Sequence, residues 1–269
     1  MGRGGSDLLL QAPRVGAQAK PITEDQRMGS LLNGKNAIIY GAGGRLGRGV
    51  ARTFAEEGAR VFLVGRTEAT LRATADEVAA RGGQAHLAVL DALDEQAVED
   101  HARRVVEEAG SLDVSFNLTS RGDVQGTRLL DMATEDFLRP TLVGLRSNFI
   151  TARAAARHMV ERGSGVILML NSGSGPAWTP PEVWPMGGTG PADAATESFM
   201  RYLAAEVGPR GVRVACLWTA GVALEDDPLD EAKTMLNGLS MLRKRPTLHE
   251  VTDTAAFIAS ERGSGITAH

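Results

Sequence analysis

"IIYGAGGRLGRGVA", residues 38–51, decides the fold. The apolar run at 36–40 reads as a buried strand, and "GRGVARTFAEEG" (47–58) has helical spacing that stops at Gly58. Between them stand Gly41, Gly43, Gly44 and Gly47, with Arg45 and Leu46 completing the turn. A glycine-rich turn that ends a strand and opens a helix lets the backbone approach a pyrophosphate, whose charge meets the helix N-terminus. The spacing Gly41-x-Gly43-x-x-x-Gly47 departs from the strict G-x-G-x-x-G pattern, and a turn of this kind also serves as a plain βα connection. Its surroundings favour the dinucleotide reading.

Outward from that turn the pattern alternates. "RVFLVG" (60–65), "AHLAVLD" (85–91), "DVSFN" (113–117), "GVILML" (165–170) and "VRVACL" (212–217) read as further strands. Helical periods separate them: "TEATLRATADEVAARGG" with Thr67 as N-cap and Gly82 as stop, "DEQAVEDHARRVVEEAG", a long stretch over about 134–162, and "GGTGPADAATESFMRYLAAEVGP" (187–209). Strands alternating with helices at this rhythm imply βαβ units. The expected fold is α/β: a Rossmann-type, doubly wound parallel sheet with helices on both faces. Neither an internal repeat nor an interdomain linker interrupts it, so residues 31–269 are expected to form one domain behind an N-terminal tail, 1–30. Translation from Met28 would lose nothing this fold needs.

Bulk composition excludes several function classes. The 269 residues carry a net charge of -4, with 43% hydrophobic and 23% charged residues, and show no basic run interleaved with aromatics. A nucleic-acid partner is not expected. No apolar run approaches the roughly 18 residues of a membrane span, and Leu8–Leu10 is too short for a secretory segment, so a cytoplasmic protein is expected. Cys216, the single cysteine, sits in "VRVACLW" as a core thiol, and no histidine or carboxylate cluster has metal spacing; no metal is expected.

Cofactor preference is written at the end of the second strand. Arg66 stands where a carboxylate would grip a ribose diol and repel a 2′-phosphate, and Arg45 can add charge beside the same phosphate. NADP is expected over NAD, although Arg66 in a plain protein would be a solvated helix-start residue. Glu68 reads as compensation for the helix dipole.

"GAGGRLG", "LDALDE", "DVSFN", "AARHMVERGSGVILMLNS", "LAAEVGPRGVRV" and "AAFIASERGSGIT" occur together in one order. On these stretches residues 30–269 resemble the short-chain dehydrogenase/reductase family. The resemblance implies that Asp91 contacts the adenine and that Asn117 braces the sheet beside the cofactor. It further implies a serine closing the fifth strand, a Tyr-x-x-x-Lys pair on the next long helix, and an asparagine on the helix before. In the family, tyrosine is the acid/base and lysine lowers its pKa.

Ser172 fills the serine position. The tyrosine position falls on Thr189, the lysine position on Asp193, and the asparagine position on Gly144, with Asn148 one turn further on. Bacterial enoyl-acyl-carrier-protein reductases space their tyrosine seven before the lysine, and that position here is Met186. Neither Tyr40 nor Tyr202 is expected beside the nicotinamide, and the lysines (Lys20, Lys35, Lys233, Lys244) all lie off this helix. No neighbouring cation is therefore expected, while Asp193 is expected to accept hydrogen bonds from ribose hydroxyls. "HARRVV", "DVQGT" and "RPTLHEVTDTAAFIAS" resemble a branch of the family in which both catalytic groups are similarly absent.

Trp178, Trp184 and Trp218 are expected at the carboxyl ends of adjacent strands, where open α/β sheets bind ligands, or else as pins for a proline-rich loop. Residues 221–246, with Met235 and Met241, resemble the family's substrate lid and suggest an apolar substrate. His158 reads as a helix-end residue. Two functions stay open. One is an oxidoreductase acting on a small carbonyl or alcohol, its proton handled by Ser172, Ser174, a water on Asp193 or the substrate; the other is a nucleotide-binding pseudoenzyme or scaffold. A homo-oligomer is expected, a dimer through the helices at 134–162 and 187–208; members of the family usually continue through one more strand after a stretch like "SGITAH", so the family's usual tetramer is not the expectation.

Overall fold

The structure, a computed structural model, describes residues 30–173, 184–219, 221–224 and 231–269. Expectations placed on Lys20, Ser174, Trp178 and the tail up to Met28 lie outside these residues. Six strands form one parallel sheet: β1 (Asn36–Tyr40), β2 (Arg60–Gly65), β3 (Gln84–Val89), β4 (Val114–Asn117), β5 (Gly165–Asn171) and β6 (Val212–Trp218), in the order β3-β2-β1-β4-β5-β6. The helices are α1 (Arg45–Glu56), α2 (Glu68–Ala79), α3 (Glu95–Ala109), α4 (Thr134–Arg162), α5 (Thr189–Val207), α6 (Glu231–Leu239) and α7 (Leu248–Ala259). Of these, none is long and apolar enough to cross a membrane, among the described residues.

The period-2 pattern of each strand sorts its side chains into two cores. Ile38, Tyr40, Phe62 and Val64 face α3, α4 and α5, packing with Val98, Ala154, Met159 and Met200. Ala37, Ile39, Val61 and Leu63 face α1, α2 and α7, packing with Val50, Phe54, Leu71 and Ala255. Both faces are covered, which is why these strands are near-continuous apolar runs. The chain runs outward from β1 to β3 and then returns to β4 on the other side of β1, so a crevice opens where β1 and β4 end.

Local details differ from the sequence reading for physical reasons. The third strand stops at Val89, because Leu90 N bonds back to Gly65 O and Asp91 turns the chain by accepting from Leu93 N. Thr67 stands at the N-cap of α2 without a side-chain cap bond, and Thr70 Oγ1 donates to its carbonyl instead. Glu68 pairs with Arg72 one turn on. Beyond β6, Ala268 N donates to Val214 O and Cys216 N to His269 O, both at 2.8 Å, so the final residues lie along the outer strand.

His101 on α3 is buried at 6% exposure, its Nε2 has no partner among the described residues, and burial followed by the nearby Arg104 lowers its pKa to about 4. A native pKa below the ordinary 6.5 means that, in between, the unfolded chain binds more protons than the folded one. Stability is therefore full above that window and lost as pH falls through it, by up to about 3 kcal/mol. Urea unfolding of the wild type and of His101→Phe from pH 7 to 4.5 checks this. The variant should lose less stability on acidification; parallel curves would exclude His101 as the cause.

Candidate functional site

The turn after β1 is built for close approach. Gly41 takes φ +76°, and a Cβ there would fall 2.6 Å from Leu118 O. A Cβ on Gly47 would fall 2.2 Å from Gly41 O, so the first turn of α1 can lie directly on the loop only because that side chain is missing. Gly44 supplies no side-chain cap to α1, and among the described residues no side chain accepts from its first backbone N–H groups. Gly43, Arg45 and Leu46 occupy the same turn, and Arg45 is exposed. Arg66 is exposed at the end of β2, and among the described residues neither arginine has an ion-pair partner. A cradle that Cβ atoms would fill, an uncapped helix start and two unpaired cations fit the phosphates of a dinucleotide. Asp91 is half-buried, its carboxylate bonded to Leu93 N.

A cleft of about 390 Å³ opens at the carboxyl ends of β4, β5 and β6. Its apolar wall includes Leu118, Leu170, Trp184, Met186, Leu236 and Leu239; its polar wall includes Asn117, Arg121, Asp123, Gln125, Asn148 and Ser172. Asn117 Nδ2 donates to Asn148 Oδ1 at 2.7 Å and to Ser147 Oγ at 3.1 Å, and Asn148 Nδ2 donates to Thr196 Oγ1 at 3.3 Å. This chain ties β4 to α4 and α5, and Asn148 enters the cleft from one turn beyond Gly144.

Thr189 and Asp193 do not line that cleft. Thr189 is fully buried, and its hydroxyl accepts from Gln125 Nε2, whose Oε1 accepts from Trp184 Nε1 at 3.1 Å. Asp193 is 1% exposed; its carboxylate accepts from Ser172 N and, at 2.8 Å, from Arg121 Nη1. So engaged, the carboxylate faces the guanidinium and the Ser172 amide.

The expected lack of a neighbouring cation is corrected by Arg121. Arg121, in the loop after β4, lays its side chain across Gly144: a Cβ on that glycine would sit 2.5 Å from Arg121 Cδ. Its guanidinium then reaches Asp193, Asp123 (Nη2, 3.0 Å) and Ser172 Oγ (Nη2, 2.9 Å). One side chain thus fills the space over residue 144 and supplies positive charge beside residue 193. Reading the helix for a lysine missed it, because the cation comes from a loop 72 residues earlier. The available signal was Asp193 itself, since a carboxylate facing the sheet from the buried side of a helix requires a donor.

The other candidates separate cleanly. Tyr40 is fully buried in the core, where burial raises its phenol far above the ordinary value, and Tyr202 is 79% exposed. Neither lines the cleft. Cys216 lies in the core, and burial, followed by the charge of Asp193, pushes its thiol up to about 12. Of the two described tryptophans Trp184 lines the cleft and Trp218 does not; from the lid region Leu236 and Leu239 face it, while Met241 is 80% exposed. Among the described residues no cluster of metal-ligating side chains occurs.

Because the pair is buried, removing one partner leaves an uncompensated charge. Asp193→Leu alone should cost about 3–5 kcal/mol in urea unfolding. Arg121→Met combined with it should cost clearly less than the two single losses added. Additive losses would show that the pair is not coupled.

The family model described as "Enoyl-(Acyl carrier protein) reductase" matches residues 41–269. "Oxidoreductase UcpA" of Escherichia coli (strain K12) is 29% identical across 249 residues, 88% of this chain and 91% of the relative. "Probable oxidoreductase EphD" of Mycobacterium tuberculosis (strain ATCC 25618 / H37Rv) is 38% identical over 174 residues, 65% of this chain, and the match spans only 28% of that longer protein. The solved structure of a 7α-hydroxysteroid dehydrogenase, complexed with NADH and 7-oxo glycochenodeoxycholic acid, superposes with a TM-score of 0.72. It is 25% identical and covers 88% of this chain and 91% of its own. With this sheet order, this glycine turn and a family match over most of its length, the chain belongs to the short-chain dehydrogenase/reductase family.

Proposed function

We propose that this protein is an NAD(P)(H)-dependent oxidoreductase acting on a small, largely apolar carbonyl or alcohol. In this site Arg121 and Ser172 do what remains of the work at the substrate oxygen. The observation that carries the reading is the Arg121 Nη2–Ser172 Oγ bond of 2.9 Å, facing the cleft beside the glycine turn. The names of relatives, two oxidoreductases and a hydroxysteroid dehydrogenase, support the same class.

Gly41, Gly43, Gly44, Arg45, Leu46 and Gly47 would hold the pyrophosphate, Asp91 the adenine end, and Asn117 the sheet edge beside the nicotinamide half. Arg66 would meet a 2′-phosphate, which favours NADP. Once bound, the dinucleotide gives or takes the hydride. The chain's residues manage the oxygen. Ser172 Oγ already accepts from a guanidinium, which polarises its O–H toward donation, so the hydroxyl can hydrogen-bond a carbonyl oxygen and relay to it a proton that solvent water returns to Oγ in the same step. The Arg121 guanidinium stabilises developing negative charge on that oxygen. The apolar wall of Leu118, Leu170, Trp184 and Met186 suits a hydrocarbon body behind that oxygen.

A second reading is a protein that binds the dinucleotide without turnover. It is favoured by Thr189 and Asp193, which are buried behind Gln125 and Arg121 and leave no phenol in the cleft. Fluorescence titration with NADPH and NADH, then a screen of carbonyl substrates, separates the two. NADPH should bind tighter, and Arg66→Ala should narrow the difference about tenfold, the scale of one charge-assisted contact. Binding with no oxidation of NADPH by any carbonyl selects the second reading, and failure to bind either dinucleotide removes both.

The oligomer belongs to the same proposal. Leu138, Leu142 and Phe149 are exposed along α4, spaced to share one helix face, with Phe149 stacked edge-on against Phe199 of α5. A dimer would bury this face against its symmetry mate. Sedimentation should show a dimer for the wild type and a monomer for Leu142→Glu/Phe149→Glu; an unchanged assembly would place the contact elsewhere.

A further inference from the structure

The charges that face the cleft are few. Among the described residues that line it, Arg121 and Asp123 are the ionisable ones, and Asp193 lies directly behind, bonded to the same guanidinium. Two carboxylates thus surround one cation. Cys216 adds nothing, since burial keeps its thiol protonated. Arg245 stands behind Gly221 at the lip, its Nε bonded to Asn237 Oδ1, and does not line the cleft.

A nicotinamide ring is a cation when oxidised and neutral when reduced. A fixed negative charge near the ring stabilises only the first form, and in a partly desolvated cleft it acts through a lower effective dielectric than water. We infer that the Arg121–Asp123–Asp193 cluster selects for the oxidised dinucleotide and so biases this site toward alcohol oxidation. The inference rests on the dinucleotide reading above, and it deepens that reading by assigning a direction. Arg121 pairs with both carboxylates, with Asp193 at 2.8 Å and with Asp123 through Nε and Nη2; of the two, Asp123 is the one that lines the cleft, with 23% of its side chain exposed.

Two isosteric changes test it in opposite senses. Asp123→Asn removes one negative charge from the wall, and Gln125→Glu adds one while keeping the oxygen that accepts from Trp184. The readout is the ratio of dissociation constants for NADP⁺ and NADPH, measured by calorimetry at low salt, with no substrate present. Asp123→Asn should shift that ratio toward NADPH, and Gln125→Glu toward NADP⁺, each by about threefold or more. Both shifts should shrink at high salt. If the dinucleotides bind but neither variant moves the ratio, or both move it the same way, the charge assignment is overturned and the oxidoreductase reading stands. If the wild type binds neither form, both fall together.

Discussion

The ion pair between Arg121 and Asp193 holds the functional end of this molecule in its shape. It joins the loop after β4 to the first turns of α5, and through Asp193 it also grips the backbone of Ser172 at the end of β5. Three segments far apart in sequence are fastened at one point. Charges withdrawn from water on this scale are costly unless every donor and acceptor is met. Here the guanidinium spreads over Asp193, Asp123 and Ser172, while Asp193 also takes the Ser172 N–H. The arrangement is close to self-satisfied, so the cleft's polar floor is rigid before any ligand arrives.

That rigidity decides which groups can take part in chemistry. Thr189 and Asp193 are both buried behind the cleft, bonded to Gln125 and Arg121. The side chains that reach the cleft come from elsewhere: Arg121 and Gln125 from one loop, Asn148 from α4, Ser172 from the end of β5. The dinucleotide half of the crevice departs much less from the family arrangement. A glycine turn needs only backbone geometry, and the sterics at Gly41 and Gly47 impose that whatever happens at the opposite end.

This contrast also explains how much could be read from the sequence. Strands such as "NAIIY" and "RVFLVG" announce themselves because both sheet faces are buried, and α4 matches the expected 134–162 span because its periodicity is long and its end at Gly163 is a left-handed cap. Thr189 and Asp193 are legible as candidates because they sit on a helix whose register the sequence defines. Their environment is not. Whether a helical carboxylate faces solvent, ligand or a partner depends on a loop whose path no periodicity encodes, and Arg121 belongs to such a loop. The same holds for Gln125, which shields Thr189. Asn148 reads from the sequence as an offset candidate, but its link to Asn117 and Thr196 depends on three elements being in place.

The missing Cβ at residue 144 has a consequence for how this end of the molecule can be redesigned. With the arginine lying across it, a larger side chain there must displace the Arg121 methylenes; moving them weakens the guanidinium's hold on the buried carboxylate; and replacing that carboxylate by an ammonium while the arginine remains sets two cations together. Positions 121, 144 and 193 are therefore coupled, and a change at one is best tolerated when the other two change with it.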